Sequence, residues 1–370
     1  MNTTTYTTEN PPPTIMEIQT DHESFQVSIQ ESTHRVKGKR FDSVTRDPES
    51  LIKDVLSLWS VGTREFQNPL VQARHVCPID QEAELLELVS ERNAILPSDS
   101  QVRVNGRIPF MDPDTDEHLA IYFTSIEDSS RAQFNSPNQV DHGTAIQTFM
   151  EKGLSEPRPL PEGVEIRAIR ELQDGEIYDY LSDEVLEEMD TETVARQLAE
   201  LHTQSFAHAH DRSQTKPSGQ SEILKENPVI VAIDTTTNEI IAAGLMEQDT
   251  DFNFGITLTE PTFYTARDYR RQGISTHLRK TMQHLIDMPT YFNRGYQPTI
   301  IFNESIRGSS FIGSLRAGCK LSGDLQATGD SNGIDGNLGN AYTYIGPANP
   351  ETGLMPMGLT HWTSNSIRVE

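Results

Sequence analysis

Apolar side chains in the first third of the chain recur in two patterns. Alternation with polar neighbours is typical of a half-buried strand, whereas apolar spacing of three and four residues is typical of a helix. These patterns predict strands at 25–29, 71–76, 102–110 and 119–123, and helices at 48–59 and 82–89. The order β-α-β-α-β-β predicts a small α/β domain with a mixed sheet at 21–130.

Two polar segments flank this domain. Residues 1–20 show no hydrophobic periodicity and contain three consecutive prolines, so we expect a disordered tail. Residues 131–162 are polar and end in Pro157, Pro159 and Pro161, which cannot continue a helix or a central strand. We therefore expect a linker between the first domain and the rest of the chain.

The remaining sequence predicts a second α/β domain at 163–346, followed by a short tail at 347–370. Continuous apolar runs such as 229–233 predict buried strands, and polar turns separate them. The predicted strands lie at 164–169, 228–234, 239–248, 256–266, 299–302 and 341–345, and the predicted helices at 183–190, 191–205, 273–288 and 309–317. This domain, too, is expected to combine helices with a mixed sheet.

Composition excludes several classes of protein. Of the 370 residues 35% are hydrophobic, and their apolar runs suffice for a core, so a wholly disordered chain is not expected. No run of about 18 apolar residues predicts a membrane span, and residues 1–5 lack the basic start of a secretory signal. Because Cys77 and Cys319 are too few for a disulfide framework or a thiolate metal cluster, we expect a cytoplasmic protein.

The charge of the chain is strongly acidic. With 30 basic and 55 acidic residues the net charge is -25, which repels nucleic acid and anionic membranes, so neither is an expected partner. Only 8 of the 30 basic residues are lysine. Low lysine with excess carboxylate resembles the proteins of halophilic archaea, and an ordinary acidic cytosolic protein is the alternative interpretation.

A basic island interrupts this acidic chain where a predicted strand passes into a predicted helix. Its charged residues, five cations against one carboxylate, are Arg267, Arg270, Arg271, Arg279, Lys280 and Asp268. A helix start offers unpaired backbone N–H groups and the positive end of the dipole, and Gly273 lacks the Cβ that would block a phosphate. The island therefore indicates a site for an anionic ligand such as a pyrophosphate. A basic helix start without a ligand is the alternative.

The segment Arg270-Arg271-Gln272-Gly273-Ile274-Ser275 resembles the pyrophosphate loop of the GNAT superfamily of acyl-CoA-dependent N-acyltransferases, which reads Arg/Gln-x-x-Gly-x-Gly/Ala. It departs from that pattern at Ser275, whose hydroxyl would either bond a phosphate or crowd it. The resemblance implies acetyl-CoA as co-substrate, bound by Arg267, Arg270, Arg271, Gln272, Gly273, Ile274 and Ser275.

A second segment at the expected distance supports the same resemblance. Residues 298–303 look like the family's fifth strand, which splays from the preceding strand and opens a slot for the pantetheine arm, with Asn303 on the cofactor side. Family members often carry a tyrosine as general acid where this chain has Ser314, and a serine hydroxyl is a poor acid. The likeness covers about residues 163–346 and implies a GNAT-like domain behind a smaller α/β domain, or behind a partial or degenerate GNAT-like half.

Direct transfer requires a deprotonated amine beside the thioester, so positioning supplies much of the rate and a base has to take one proton. The family often carries a glutamate on its central strand, which makes Glu260 the leading candidate for the base and Glu247 the second. Tyr264 is the candidate acid, with Tyr269 as the alternative. The competing interpretation of the two glutamates is an ordinary strand-end carboxylate. The competing interpretation of the two tyrosines is a packed core residue.

A histidine pair and an acidic run complete the candidates. His208, His210 and Asp211 lack a clear further ligand, so no metal site is predicted; they would form a loop over the acceptor side or a solvated loop. The acidic residues of 183–192 are interpreted as a solvated helix face that would also attract a cationic amine.

Two classes of function follow. In length and order the chain resembles the β-lysine N-acetyltransferases, which implies transfer of an acetyl group from acetyl-CoA to a primary amine. A small amine or amino acid is the first acceptor, and a protein N-terminus or lysine is the second. The alternative is a non-catalytic or degenerate acyl-CoA-binding regulatory module, which Ser275 and Ser314 favour and the basic island opposes.

Overall fold

The computed structural model describes residues 14–19, 24–30, 35–39, 48–67, 69–97, 100–127, 142–173, 175–205, 213–246, 248–249, 255–305, 308–330 and 354–369. Its strands are β1 Thr14–Gln19, β2 Ser24–Gln30, β3 Arg35–Lys39, β4 Leu70–Pro78, β5 Val102–Met111, β6 His118–Glu127, β7 Val164–Glu171, β8 Glu176–Asp179, β9 Glu184–Asp190, β10 Val229–Asp234, β11 Glu239–Leu245, β12 Gln248–Asp249, β13 Thr257–Thr259, β14 Thr262–Thr265, β15 Thr299–Ser305, β16 Lys320–Asp330 and β17 Leu354–Thr363. Its α-helices are α1 Pro48–Glu65, α2 Glu82–Ile95, α3 His142–Gly153, α4 Thr191–Ser205, α5 Pro217–Glu226, α6 Ile274–Ile286, α7 Pro289–Asn293 and α8 Gly308–Arg316.

The first part of the chain forms a mixed sheet with two helices on its outer face. β3 runs parallel to β4, and β4, β6 and β5 follow as antiparallel neighbours. Because side chains alternate across a strand, Val71 and Ala73 of β4 face the helices, where Leu58 and Leu85 complete the core. The predicted strands and helices of this part are confirmed.

The sequence patterns did not predict the strand β3. Its sequence places a cation at every second position, a pattern typical of a solvent-exposed edge, yet Arg35 is buried. The expected tail at 1–20 is wrong for Thr14–Gln19, which pairs antiparallel with β2 over all six residues. Backbone pairing across the sheet, which requires no hydrophobic periodicity in the added strand, explains both differences.

The second part of the chain contributes strands to two sheets. β14, β11, β10, β7, β8 and β9 form a sheet that is antiparallel throughout, with α4 and α5 on one face and α6 on the other. β16, β17, β15, β13 and β12 instead continue the first sheet, which they join where Gly323 of β16 pairs with Gly106 of β5. The combined sheet has 11 strands among the described residues. The mixed α/β class is confirmed.

The strand predicted at 256–266 is divided between the two sheets. β13 pairs in parallel with β15, whereas β14 pairs antiparallel with β11. Glu260 and Pro261 lie between them, and a proline has no N–H to donate to a neighbouring strand. The sheet therefore opens at this point, as the resemblance to the GNAT family implied.

The two parts of the chain share a hydrophobic core. Phe123 of β6 stacks on Phe302 of β15 with ring centroids 4.6 Å apart. Around this pair, Ile108 and Phe110 of the first part meet Leu359 of the last strand. Residues on both sides of the predicted domain boundary thus exclude water from one another.

Three predictions for the rest of the chain are corrected. The expected linker contains α3, which packs on α8 through Phe149 and Phe311, and the expected C-terminal tail contains β17, which lies between β15 and β16. The acidic run predicted as a helix forms β9, because pairing with β8 outweighs the helix preference of its glutamates. The strand predicted at 341–345 lies outside the described residues.

No helix in the described part of the chain is both long and apolar enough to cross a membrane.

Candidate active site

The turn after β14 presents unpaired backbone donors. A short 3₁₀ helix at Arg267–Tyr269 is followed by Arg271 at φ +65° and Gly273 at φ +90°, and α6 starts at Ile274. In the part of the chain that the structure describes, the N–H groups of Gly273, Ile274 and Ser275 donate no hydrogen bond. A helix start with free N–H groups suits an anionic ligand.

Several arginines belong to this turn or contact it. Arg270 is fixed by a hydrogen bond from its Nε to the carbonyl oxygen of Thr265 at 2.9 Å, while the side chains of Arg267 and Arg271 are exposed. Arg158 also reaches the turn, since its Nη1 donates to the carbonyl oxygen of Arg271 at 2.6 Å. Sequence reasoning missed Arg158 because it lies 113 residues earlier in the chain, in the segment interpreted as a linker.

Gly273 has a packing role beside the predicted cofactor contact, which stays a prediction. A Cβ added there would lie 3.1 Å from the Cβ and 3.3 Å from the carbonyl oxygen of Arg158, not in open space where a phosphate would sit. The same carbonyl oxygen is 2.8 Å from Nε2 of His277. Glycine is therefore required by the positive φ and by the close approach of the preceding segment.

The departure at Ser275 is explained by a buried arginine. Arg279 donates to the Oγ of Ser275, to the carbonyl oxygen of Ser275 at 3.2 Å and to the Oγ of Ser310 at 3.0 Å. Its guanidinium lies 4.0 Å from the centre of the Phe263 ring, and burial lowers the pKa of Arg279 to about 10. Arg279 thus connects α6 to α8, with the Ser275 hydroxyl as one of its acceptors, while the N–H of Ser275 donates no hydrogen bond among the described residues.

β14 and the second half of β15 pair with other strands and not with each other, and it is between them that the slot is expected. Asn303 is buried, with its Nδ2 3.9 Å from Sγ of Cys319. Burial raises the pKa of Cys319 to about 12, so this thiol is a poor nucleophile. Ser314 is buried, and its Oγ donates to the carbonyl oxygen of Ser310 at 3.2 Å. A cofactor contact by Asn303 stays a prediction.

Glu260 lies at the division of the strand, among cations from the first part of the chain. Arg74 donates to its carboxylate, and Lys37 Nζ lies 3.4 Å from its Oε1. Burial acts to raise the pKa of Glu260, but the charges of Arg74 and Lys37 outweigh it and hold the pKa below its ordinary value. Such a carboxylate is a weak base, and the catalytic role of Glu260 stays a prediction.

The candidate acids occupy different surroundings. Tyr264 is 3% exposed and packs edge-on against the ring of His202 in the core under α4. Tyr269 donates from its hydroxyl to Oδ2 of Asp234 at 2.5 Å, and this bond raises the pKa of Tyr269. The role of Tyr264 as acid stays a prediction.

Four other candidates, Glu247, His208, His210 and Asp211, lie outside the described residues. Among the residues that are described, no group of three or more His, Cys, Asp or Glu side chains is arranged to hold a metal ion.

Comparisons with known proteins find similarity of backbone only. No family model matches the chain, and no curated protein matches its sequence. A ribosomal-protein-S5-alanine acetyltransferase from Vibrio fischeri is 11% identical, with 56% of this chain and 97% of that chain covered and a TM-score of 0.35. A putative acetyltransferase from Salmonella typhimurium, solved with acetyl-CoA, is 10% identical, with coverages of 55% and 94% and a TM-score of 0.34. A GNAT-family acetyltransferase from Streptococcus pneumoniae is 9% identical, with coverages of 55% and 99% and a TM-score of 0.34.

Proposed function

We propose that the chain transfers an acetyl group from acetyl-CoA to a primary amine of a small molecule or amino acid. The observation that carries this proposal is the turn at 271–275, where helix N–H groups that donate no hydrogen bond and several arginines follow directly on β14, the strand that separates from β15. Such a turn suits a pyrophosphate, and an open strand edge suits the amide groups of a pantetheine arm. A structural helix start would require neither the cations nor the open edge.

In this proposal the turn residues hold the pyrophosphate, and Glu260 marks the place of acetyl transfer. Because the pKa of Glu260 is held low, we propose that this carboxylate receives the acceptor as an ammonium ion, whose first proton passes to water. The neutral amine nitrogen then forms a bond to the thioester carbonyl carbon, the carbon–sulfur bond breaks, and the second proton that the nitrogen loses goes to the leaving thiolate. Most of the rate then comes from holding two substrates in contact.

Binding of acetyl-CoA is the first test of the proposal. Calorimetry on the native chain, in low and in molar salt, should show micromolar binding, and Arg271→Ala should weaken it about tenfold because one charged phosphate contact is lost. Arg196→Ala is the matched control, since Arg196 is an exposed arginine on α4 that pairs with Glu200. The absence of binding in both salts, or equal losses in the two variants, would contradict the proposed cofactor site.

A non-catalytic acyl-CoA-binding module is the second candidate. The buried Ser314 and the ion-paired Glu260 favour it, because neither is a good acid or base near neutral pH. Release of free thiol from acetyl-CoA in the presence of amines, measured for the native chain, Glu260→Gln and Tyr264→Phe, separates the two. Turnover that falls at least tenfold in Glu260→Gln, with acetyl-CoA binding retained, supports the enzyme; binding without turnover in the native chain supports the module.

The proposal extends to the acceptor and to the cellular setting. The resemblance to β-lysine N-acetyltransferases makes β-lysine and lysine the first amines to examine. We propose a cytoplasmic location, which the use of acetyl-CoA supports, and a salt-adapted host, which the net charge of -25 supports. Activity that rises with salt concentration would support the salt-adapted host.

A further inference from the structure

A group of charged side chains lines the inner face of the first sheet, opposite the divided strand. Arg35 and Lys37 of β3 alternate with Val36, which is buried on the helix side, so both cations face the second part of the chain. Arg74 of β4 faces the same way and lies over the ring of Phe302 at 5.4 Å. We call Arg35, Lys37 and Arg74 the cationic wall.

Two carboxylates of the second part meet the cationic wall. Arg35 Nη2 lies 3.2 Å from Oε1 of Glu304, and Lys37 Nζ lies 3.4 Å from Oε1 of Glu260. Arg74 joins the two groups, because its guanidinium donates to Glu260 and lies 4.0 Å from Glu304. The wall and the carboxylates therefore form one connected network at the opening of the sheet.

Among the described residues, the network holds more cations than carboxylates. The three cations of the wall meet two carboxylates, a difference of +1 within the part of the chain that the structure describes. Cations that lie close together and are shielded from water repel one another. Burial and the neighbouring Arg74 accordingly lower the pKa of Lys37. An anionic group placed against Lys37 would balance the network.

The network is open on one side only. The side chain of Arg74 is 3% exposed and that of Arg35 is 9% exposed, whereas Lys37 is 17% and Glu260 is 34% exposed. A small molecule that enters at the division of the strand therefore meets Lys37 and Glu260 first. Arg74 and Arg35 lie behind them and supply charge without direct access.

We propose that the cationic wall binds a carboxylate of the acceptor, so that the acceptor is an amino acid with a primary amine to be acetylated. This inference rests on the proposed function. The acceptor exchanges for the Lys37–Glu260 ion pair: its carboxylate contacts Lys37 and its amine contacts Glu260. An amine that is ready to attack is neutral, so the reacting group and its carboxylate together carry -1, which offsets the surplus of +1. Amines without a carboxylate leave the surplus in place.

Matched acceptors test this assignment. Release of thiol from acetyl-CoA is measured with lysine against cadaverine and with β-alanine against propylamine, two pairs that differ in the carboxylate. We expect kcat/KM at least tenfold higher for the carboxylate-bearing member of each pair. Equal kcat/KM values within both pairs would overturn the inference and leave the proposed acetyl transfer intact.

Variants of Lys37 test the residue itself. In Lys37→Gln the preference for lysine over cadaverine should fall toward one, mainly through a higher KM for lysine, and Lys37→Arg should restore part of it. Lys53→Gln is the control, because Lys53 pairs with Glu49 on the exposed side of α1. A loss of rate that is equal for both acceptors would show that Lys37 is structural. Failure of acetyl-CoA to bind in calorimetry, or binding without thiol release for any amine, would instead remove the proposed function and this inference with it.

Discussion

Single residues in unfavourable settings cluster at the candidate site of this molecule. Gly273 takes a positive φ where the segment at Arg158 presses against it, Arg279 is buried without a described carboxylate partner, and Glu260 is a carboxylate enclosed by cations. Each setting is unfavourable in isolation and is sustained by its neighbours. All three residues lie close to β14: Glu260 precedes it, Arg279 packs on its Phe263, and Gly273 ends the turn that follows it.

Replacement of Gly273 separates backbone strain from packing. Gly273→Ala should lower the free energy of unfolding by about 1 to 3 kcal/mol, because the residue keeps φ +90° and its new methyl meets Arg158. Gly318→Ala is the matched control: its φ is +92° and nothing lies within 4 Å of an added Cβ. Chemical denaturation of both variants gives the difference between their free energies of unfolding. Equal losses would mean that the contact with Arg158 contributes nothing to stability.

A buried histidine predicts a specific response to acid. His361 lies 2.7 Å from the Oγ of Ser322 through its Nδ1, and burial lowers the pKa of His361 to about 4. In the unfolded chain the imidazole of His361 takes up a proton at about pH 6.5, so above that pH the group does not lower the free energy of unfolding. As pH falls toward 4 the native state should lose about 3 kcal/mol.

Urea unfolding of the native chain and of His361→Gln at pH 7 and pH 4.5 measures this loss. The variant should lose less stability between the two pH values, because it lacks the buried imidazole of His361. Parallel losses in the two proteins would assign the acid sensitivity to other groups: the buried His75, whose pKa burial lowers to about 3, and the carboxylates Glu260 and Glu304, whose lowered pKa values act in the same direction.

At the scale of elements, the connections between strands and helices position the candidate site. The divided strand sends β13 and β14 into different sheets, Arg279 connects α6 to α8, and Arg158 fixes the segment that precedes β7 against the turn. The two sheets of the fold would not present a common opening without these connections. Each connection depends on one or two residues, so a single substitution can test how much it contributes to stability.

The joint between β5 and β16 is one such connection. A Cβ added at Gly106 would lie 2.2 Å from the carbonyl oxygen of Ser322, so Gly106→Ala forces two backbones apart and should cost about 1 to 3 kcal/mol or more. Gly38→Ala in the same sheet is the control, because its Cβ would meet only the terminal methyl of Leu58 at 2.5 Å, which can rotate away. Thermal unfolding compares them; a similar Tm for both would contradict a tight joint.

At the scale of the whole molecule, one sheet and one shared core run through both parts of the chain. The first part contributes the cationic wall, and the second contributes the divided strand and the turn at α6. A site composed in this way exists only while both parts are folded together. The first part is therefore expected to act in acceptor binding and not as a separate module.

Unfolding should accordingly be a single transition. Phe302→Ala removes the ring that stacks on Phe123 and should cost about 3 to 5 kcal/mol, lowering one Tm for the entire chain. Leu198→Ala, in the separate core under α4, should lower the same transition. Scanning calorimetry checks this through the ratio of calorimetric to van't Hoff enthalpy. A second transition that appears in Phe302→Ala alone would show that the two parts fold independently.

Hydrophobic periodicity by itself determined most of the elements. The strands and helices around the first core, the strand pair β10 and β11, and the strand–turn–helix at 264–288 all have local patterns that coincide with their final burial. The basic island and the positive-φ glycine at 273 are likewise local, because the turn that exposes helix N–H groups is formed by neighbouring residues.

Only the tertiary structure decided which residues meet. The strand β9 has a helix-favouring sequence, and β3 has the charge pattern of an exposed edge, but pairing with distant strands sets the conformation of the one and the burial of the other. Glu260 has an ordinary sequence context; its charge environment comes from Lys37 and Arg74, which lie 223 and 186 residues away in sequence. Local propensity is encoded in short windows, whereas electrostatic environments and shared cores depend on contacts between windows, and no periodicity carries that information.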